Sequence, residues 1–388
     1  MKQFNLTEEQ QQLLDHADRF GREQLLPLAQ KMDNEEWWPE DIMRKVGELG
    51  FLGVTIPQQY GGVGMSILDA GLILQAFSRY NHAFGLAWAA HDNLCANNIY
   101  NNGSEFVREK YLPKLCSGEW TGCLGLTEPG AGSDALGSMR TKAVRDGDQY
   151  IINGSKIFIT NGPVAHICLL YAKTEQGKGS KGITAFVVEA NTPGFMVAQK
   201  LTKMGFRGSQ TAELVFEDMR VPVENIIGVE HQGHQVVMRG LDVERAMIAP
   251  ITVGIAERAL DLSVDFSKTR EQFGKPIAQF QMIQSRLADM YVWKETMKTF
   301  CWRILAEVSD IDETQAGRGL IHANTAASVM YCADTLNRLL DNAVQVFGGN
   351  GYIWESEINR LFRAIKLLEI GAGTTEVRKL IISGELLR

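Results

Sequence analysis

The chain has 388 residues, of which 45% are hydrophobic and 22% charged, with a net charge of −7. That length holds two or three domains with ample core, and the composition is neither disordered nor fibrous. A negative balance without a basic run argues against nucleic acid as a partner, and no apolar stretch reaches the about 18 residues of a membrane span.

The opening stretch, MKQFNLTEEQQQLLDHADRF, is amphipathic and acidic from the outset. It has neither the apolar core of a secretory signal nor the Arg-rich character of a transit peptide, so a cytoplasmic protein is expected. Thr7 is the expected N-cap of the first helix, with Gln10 closing a capping box. PEDIMRKVGELGFLGV leads to a Gly-rich loop, QQYGGVGMS, and ILDAGLILQAFSRY gives a further helix. Residues 1–120 therefore form a helical N-terminal domain. From 121 to 232 the texture changes to short β runs between Gly, Asn and Asp turns. These are QYIINGSKIFITNG, AHICLLYAKT, KGITAFVVEA, GFMVAQKL and TAELVFEDMRVP, spaced as in a small antiparallel barrel or sandwich. From 233 to 388 long helical periods return. Helices, then strands, then helices exclude a Rossmann fold, whose elements alternate.

The six cysteines are scattered without a C-x-x-C, which fits reduced thiols and no zinc or iron–sulfur centre. His231 and His234, in GVEHQGHQ, are expected in a loop and not at a metal. G-x-G at Gly62, Gly130, Gly349 and Gly371 lacks the third glycine of a dinucleotide fingerprint; GKGSKG (177–182) has it but lies between two β runs and opens no helix, and no P-loop exists, which disfavours NAD and ATP.

Residues 239–256, RGLDVERAMIAPITVGIA, pose a question. At helical spacing Leu241, Glu244, Ile248, Ile251 and Ile255 share one stripe, and a glutamate does not belong there. An unpaired buried carboxylate is costly. Either Glu244 is a rim residue paired with Arg245 or Arg239, or it is a base with a tuned pKa.

Four segments together carry a resemblance: LTEPGAGSD (126–134), KIFITNGP (156–163), REQFGKPIAQFQ (270–281), and QVFGGNGYI with EIGAGTTEVRKLI (345–353, 369–381). In this order and spacing the chain resembles the acyl-CoA dehydrogenases from end to end. HDNLC (91–95) and LDVER (241–245) are most similar to the isovaleryl-CoA dehydrogenase branch. The resemblance implies an α+β fold with a helical N-terminal domain, an antiparallel β-barrel middle domain and a C-terminal four-helix bundle. It also implies FAD, a homotetramer, an acyl-CoA substrate and electron-transferring flavoprotein as acceptor. REQFGKPIAQFQ is expected to open a C-terminal helix.

The same resemblance assigns residues. Leu126, Thr127 and Ser133 would lie along the flavin ring and pyrophosphate, with Ser133 also near substrate. Phe158, where relatives often carry Trp, and Thr160 would sit beside the ring. Arg270, Gln272 and Phe273 would reach a neighbouring subunit's FAD. Gln345, Gly349, Thr374 and Glu376 would contact the adenosine side. Each Thr or Ser alone could instead be a turn cap. Many relatives keep their catalytic base just before the Gly-Thr of the C-terminal loop, where this chain has Ala372. Glu369 and Glu376 flank that loop, but three or four extended residues carry a side chain roughly 10 Å away. Glu244 matches the glutamate that the isovaleryl branch uses instead. Asp242 and Arg245 would approach the CoA moiety, although Asp242 could equally form a surface ion pair.

Gly371 stands where straight-chain enzymes often carry an aromatic, so it would open space for a branched or cyclic acyl group, with Leu94 and Ala372 as further walls. A short branched acyl-CoA is the lead expectation. Trp88 and Asp92 fall near the expected pocket, and a buried Asp92 would suit a polar acyl group or a carrier-protein thioester. A flavin oxidase and a non-catalytic binding relative are the competing readings.

Overall fold

The computed structural model describes residues 6–310 and 317–388; the first five residues of the stretch tested for a leader lie outside them. Helix α1 (Glu8–Phe20) begins with the expected capping box, in which Thr7 accepts from Gln10 N and the Gln10 side chain accepts from Thr7 N. A wide turn over Gly21–Leu25 leads to α2 (Leu26–Glu35). Gly21 permits a close crossing, because a Cβ there would stand 2.6 Å from a Tyr80 ring carbon. Helices α3 (Ile42–Glu48) and α4 (Ile67–Ala89) follow. Asn81 breaks α4, giving its amide to Leu25 O and taking the Phe84 N–H. A π-helical stretch over Ala90–Asn97, α5 (Asn98–Asn102) and α6 (Glu105–Cys116) complete the helical start.

Strands β1 (Gly122–Gly125), β2 (Lys142–Asp146), β3 (Gln149–Thr160), β4 (Ile167–Lys173), β5 (Ile183–Glu189), β6 (Phe195–Lys200), β7 (Thr211–Pro222) and β8 (Ile226–Ile227) form one eight-stranded sheet. Its order is β6-β7-β3-β2-β4-β5-β8, with β1 paired to β4. The expected antiparallel pairing holds for most of the sheet, with two parallel exceptions. β1 runs parallel to β4, Gly122 opposite Ile167, and β2 meets β4 in parallel at Lys142 and Lys173. A parallel neighbour needs a long crossover, and the β2–β3 hairpin occupies that connection.

Helix α7 (Gly233–Thr269) is 37 residues long. His234 lies in its first turn and not in a loop, whereas His231 precedes it. REQFGKPIAQFQ is a hairpin of β9 (Glu271–Gln272) and β10 (Lys275–Pro276), and α8 (Gln281–Ser309) starts only after it. Its turn residues Phe273 and Gly274 both have positive φ, 52° and 78°, the conformation of a tight hairpin turn. Helices α9 (Gly319–Phe347), α10 (Gly349–Tyr352), α11 (Glu357–Ile370) and α12 (Thr375–Leu386) close the chain. Helices α7, α8 and α9 pack on one another, α11 and α12 lie on α9, and α4 lies along α7. One core joins the two helical regions; a second joins α5, α6, β4, β5 and the start of α7. Glu244 sits where this second core meets α7. No described helix is long and apolar enough to cross a membrane.

Candidate active site

Because α7 has α4 on one side and α8 and α9 on others, its buried surface is wider than a single stripe. Ile251 and Ile255 are fully buried as expected, while Leu241 and Ile248 are only part-buried. Asp242 and Arg245, off the stripe, are both buried. This overturns the surface ion pair for Asp242. Its carboxylate accepts from Gly317 N at 2.6 Å, His322 Nδ1 at 2.6 Å and Thr325 Oγ1 at 3.4 Å, with Arg245 Nη1 3.8 Å away. His322 lies 80 positions along the chain, and no spacing rule links it to Asp242.

Glu244 differs from its neighbours. It is part-buried and, among the described residues, makes no hydrogen bond or ion pair; Arg245 has turned to Asp242, and Arg239 is exposed. The pairing that would make it an ordinary rim glutamate is absent. It lines a recess with Asn98, Leu124, Leu126, Tyr171, Val236, Val237 and Gly240. Burial raises its pKa, and the charges of Arg245 and Arg378 offset that only in part. Burial likewise pushes the Tyr171 hydroxyl up, and the nearby Glu244 charge adds to it.

Arg378, which sequence reading left without a role, is fully buried. Its guanidinium donates to Leu368 O at 3.0 Å and Gly371 O at 2.5 Å, tying α12 to the end of α11 and to the turn that follows. Burial lowers its pKa to about 10, helped by the like charge of Arg245. In that turn Gly371 has φ −71°, so its backbone does not require glycine. A Cβ there would meet Leu367 O at 3.2 Å. Ala372 and Gly373 do have positive φ, 52° and 90°. Of the flanking carboxylates, Glu369 is held by Asn337 and Lys366, and Glu376 is exposed in the first turn of α12, where Thr374 is the N-cap.

Leu94 is part-buried in the stretch after α4. Trp88 and Asp92 do not line the recess. Trp88 Nε1 donates to Phe51 O at 2.7 Å, and Gly53 N donates to Asp92 at 2.5 Å. Both hold the 51–54 loop, and burial pushes Asp92 up to about 7. The polar-substrate reading of Asp92 therefore loses its basis.

The segments LTEPGAGSD and KIFITNGP come together at the exit of β1. Ile157 N donates to Thr127 O at 2.9 Å, aligning Leu126–Glu128 with β3. Phe158 has φ +62° and is 66% exposed. Among the described residues, the Thr127 and Thr160 hydroxyls make no hydrogen bond, and Ser133 is exposed on the following loop. An open aromatic face flanked by unpartnered hydroxyls suits a planar heterocycle with polar edges. Arg270, Gln272, Phe273, Gln345, Gly349 and Glu376 are at the surface, and none is hydrogen-bonded to this group. The described residues contain no cluster suited to a metal.

Comparison with known proteins shows the family and the fold. The acyl-CoA dehydrogenase N-terminal, middle and C-terminal domain families match residues 7–119, 123–219 and 231–387. A mitochondrial isovaleryl-CoA dehydrogenase of Pongo abelii is 43% identical over 381 residues, covering 97% of this chain and 88% of its own. The structure of butyryl-CoA dehydrogenase from Megasphaera elsdenii is similar with a TM-score of 0.94 and 38% identity, covering 99% of this chain and 100% of the other. A chain from the structural study of the electron transferring flavoprotein of Acidaminococcus fermentans has the same TM-score and identity, with 99% of each chain covered.

Proposed function

The chain belongs to the acyl-CoA dehydrogenase family, and on that premise we propose that it desaturates a short branched acyl-CoA at Cα–Cβ, with Glu244 as the α-proton base. The observation that carries this reading is a carboxylate lining a mostly apolar recess that makes no hydrogen bond or ion pair among the described residues. Desolvation makes such a carboxylate a stronger base, since its charged form has lost water without gaining a full replacement. In its ionised form Glu244 would take the α-proton onto a carboxylate oxygen, while Ala372, at the position many relatives use, offers no acceptor.

The residues at the β1–β3 junction fit FAD. Leu126, Thr127, Ser133, Phe158 and Thr160 would hold the ring and pyrophosphate, and Gln345, Gly349, Thr374 and Glu376 the adenosine side. When bound, FAD supplies the acceptor for the β-hydride. Arg270, Gln272 and Phe273 would complete a neighbour's site in a homotetramer; the 94% exposure of Phe273 in a left-handed conformation supports this. Electron-transferring flavoprotein is the proposed acceptor.

Gly371 supports the branched substrate. Its φ is compatible with any residue, so conformation does not require glycine there, which leaves room for a role in shaping space. Leu94 and Ala372 would form adjoining walls, and Asp242 with Arg245 would shape the CoA side through their buried network. Domain limits at 120/121 and 232/233 accompany the reading, the matched families stopping at 119 and resuming at 123 and 231. Anaerobic flavin bleaching by a panel of acyl-CoAs tests the proposal. Fastest bleaching by isovaleryl-CoA or a similar branched thioester is expected, and preference for a long linear chain would contradict it.

A further inference from the structure

Lys156 is fully buried on β3, which a lysine tolerates only for a matched charge. Its ammonium donates to Glu128 Oε1 at 2.8 Å and to Leu126 O at 3.0 Å. The Glu128 carboxylate also accepts from Arg140 N at 2.6 Å and Thr141 N at 2.9 Å, so both its oxygens are engaged and it is anchored to the start of β2. The carbonyl of Leu126 and the carboxylate of Glu128 thus both face the lysine. Thr127 lies between them, its carbonyl bonded to Ile157 N and its hydroxyl in no hydrogen bond among the described residues. On β3, Phe158 would share the side of Lys156 in a regular strand. The register shift between Lys156 and Ile159, together with the positive φ of Phe158, turns the ring outward instead.

We propose that Lys156 is a positioning residue for the flavin, fixing Leu126–Glu128 against the irregular part of β3 so that Thr127 and Phe158 present one surface. The inference rests on the reading of these residues as the FAD site. An apolar residue would fill the same space, and burial holds the lysine down to about 8, so packing alone does not account for it. What an apolar side chain cannot do is join a backbone carbonyl and a carboxylate two residues apart.

The test uses the flavin-loaded protein, following FAD loss on dilution by flavin fluorescence and recording the visible spectrum and the thermal melt. Two variants are compared with wild type: Lys156→Met, and Lys156→Met with Glu128→Gln, which leaves no unpaired buried carboxylate if the single variant is too unstable. FAD loss at least about tenfold faster in both, with a blurred visible band and a melt close to wild type without flavin, is the expected result. Unchanged FAD loss and spectrum, with or without a lowered melt, would overturn the role of Lys156 while leaving the flavin site intact. A wild-type protein that holds no FAD would instead sink the site reading beneath it.

Discussion

Arg378 donates to the carbonyl of Gly371 at 2.5 Å from a fully buried position, so one guanidinium joins the turn beside the proposed acyl group to helix α12. The same charge acts on Glu244, lowering its pKa against the burial that raises it. Arg378→Met should therefore have two effects. The freed carbonyls of Leu368 and Gly371 should reduce stability by about 1–3 kcal/mol, measured by urea unfolding. Loss of the cation should move the acid limb of the pH–rate profile for flavin reduction upward, because ionised Glu244 becomes harder to form. An unmoved limb would show that Arg378 does not act on the base.

Asp242 separates a structural role from substrate contact. Asp242→Ala leaves the Gly317 N–H and His322 Nδ1 without their acceptor inside the fold. We expect a stability loss of about 2–5 kcal/mol by urea unfolding. If stability holds and only KM for the acyl-CoA rises, Asp242 contacts the ligand directly and the buried network is secondary.

Gly371→Tyr should lower kcat/KM for a branched acyl-CoA by at least about tenfold while a linear short chain loses less. The contact of an added Cβ with Leu367 O at 3.2 Å predicts a small shift of the turn and not collapse. Equal losses on both substrates would remove the size argument.

Phe273→Gly relieves a positive φ on a side chain that is 94% exposed in one protomer. The protomer fold should be unharmed, while light scattering shows weakened tetramers and FAD is lost faster. A wild-type protein that is monomeric and flavin-loaded would contradict the shared site.

Local patterns carried most of the fold. The capping box at Thr7 and the five β runs depend on neighbours in sequence, and each appears in the structure. β1 was too short to show a period, and its parallel pairing with β4 lies some forty residues away. The hairpin at Phe273–Gly274 was hidden because its turn uses phenylalanine where asparagine or aspartate is usual. In the site, Glu244 was visible as a carboxylate out of pattern. Its lack of a partner was not, because that depends on Arg245 being drawn to Asp242. Arg378 stood inside a quoted motif without a signal for its buried contacts. Asp92 looked like a pocket residue only because sequence does not show that its carboxylate turns to Gly53.

The base is tested most directly by anaerobic stopped-flow reduction of the flavin in Glu244→Gln. The substitution keeps size and packing and removes proton acceptance, so FAD and acyl-CoA should still bind while the reduction rate falls by about 10²–10⁴-fold. Adding Ala372→Glu should restore part of that rate, since it places a carboxylate in the turn held by Arg378. Flavin reduction by Glu244→Gln at near the wild-type rate would contradict the account at its centre.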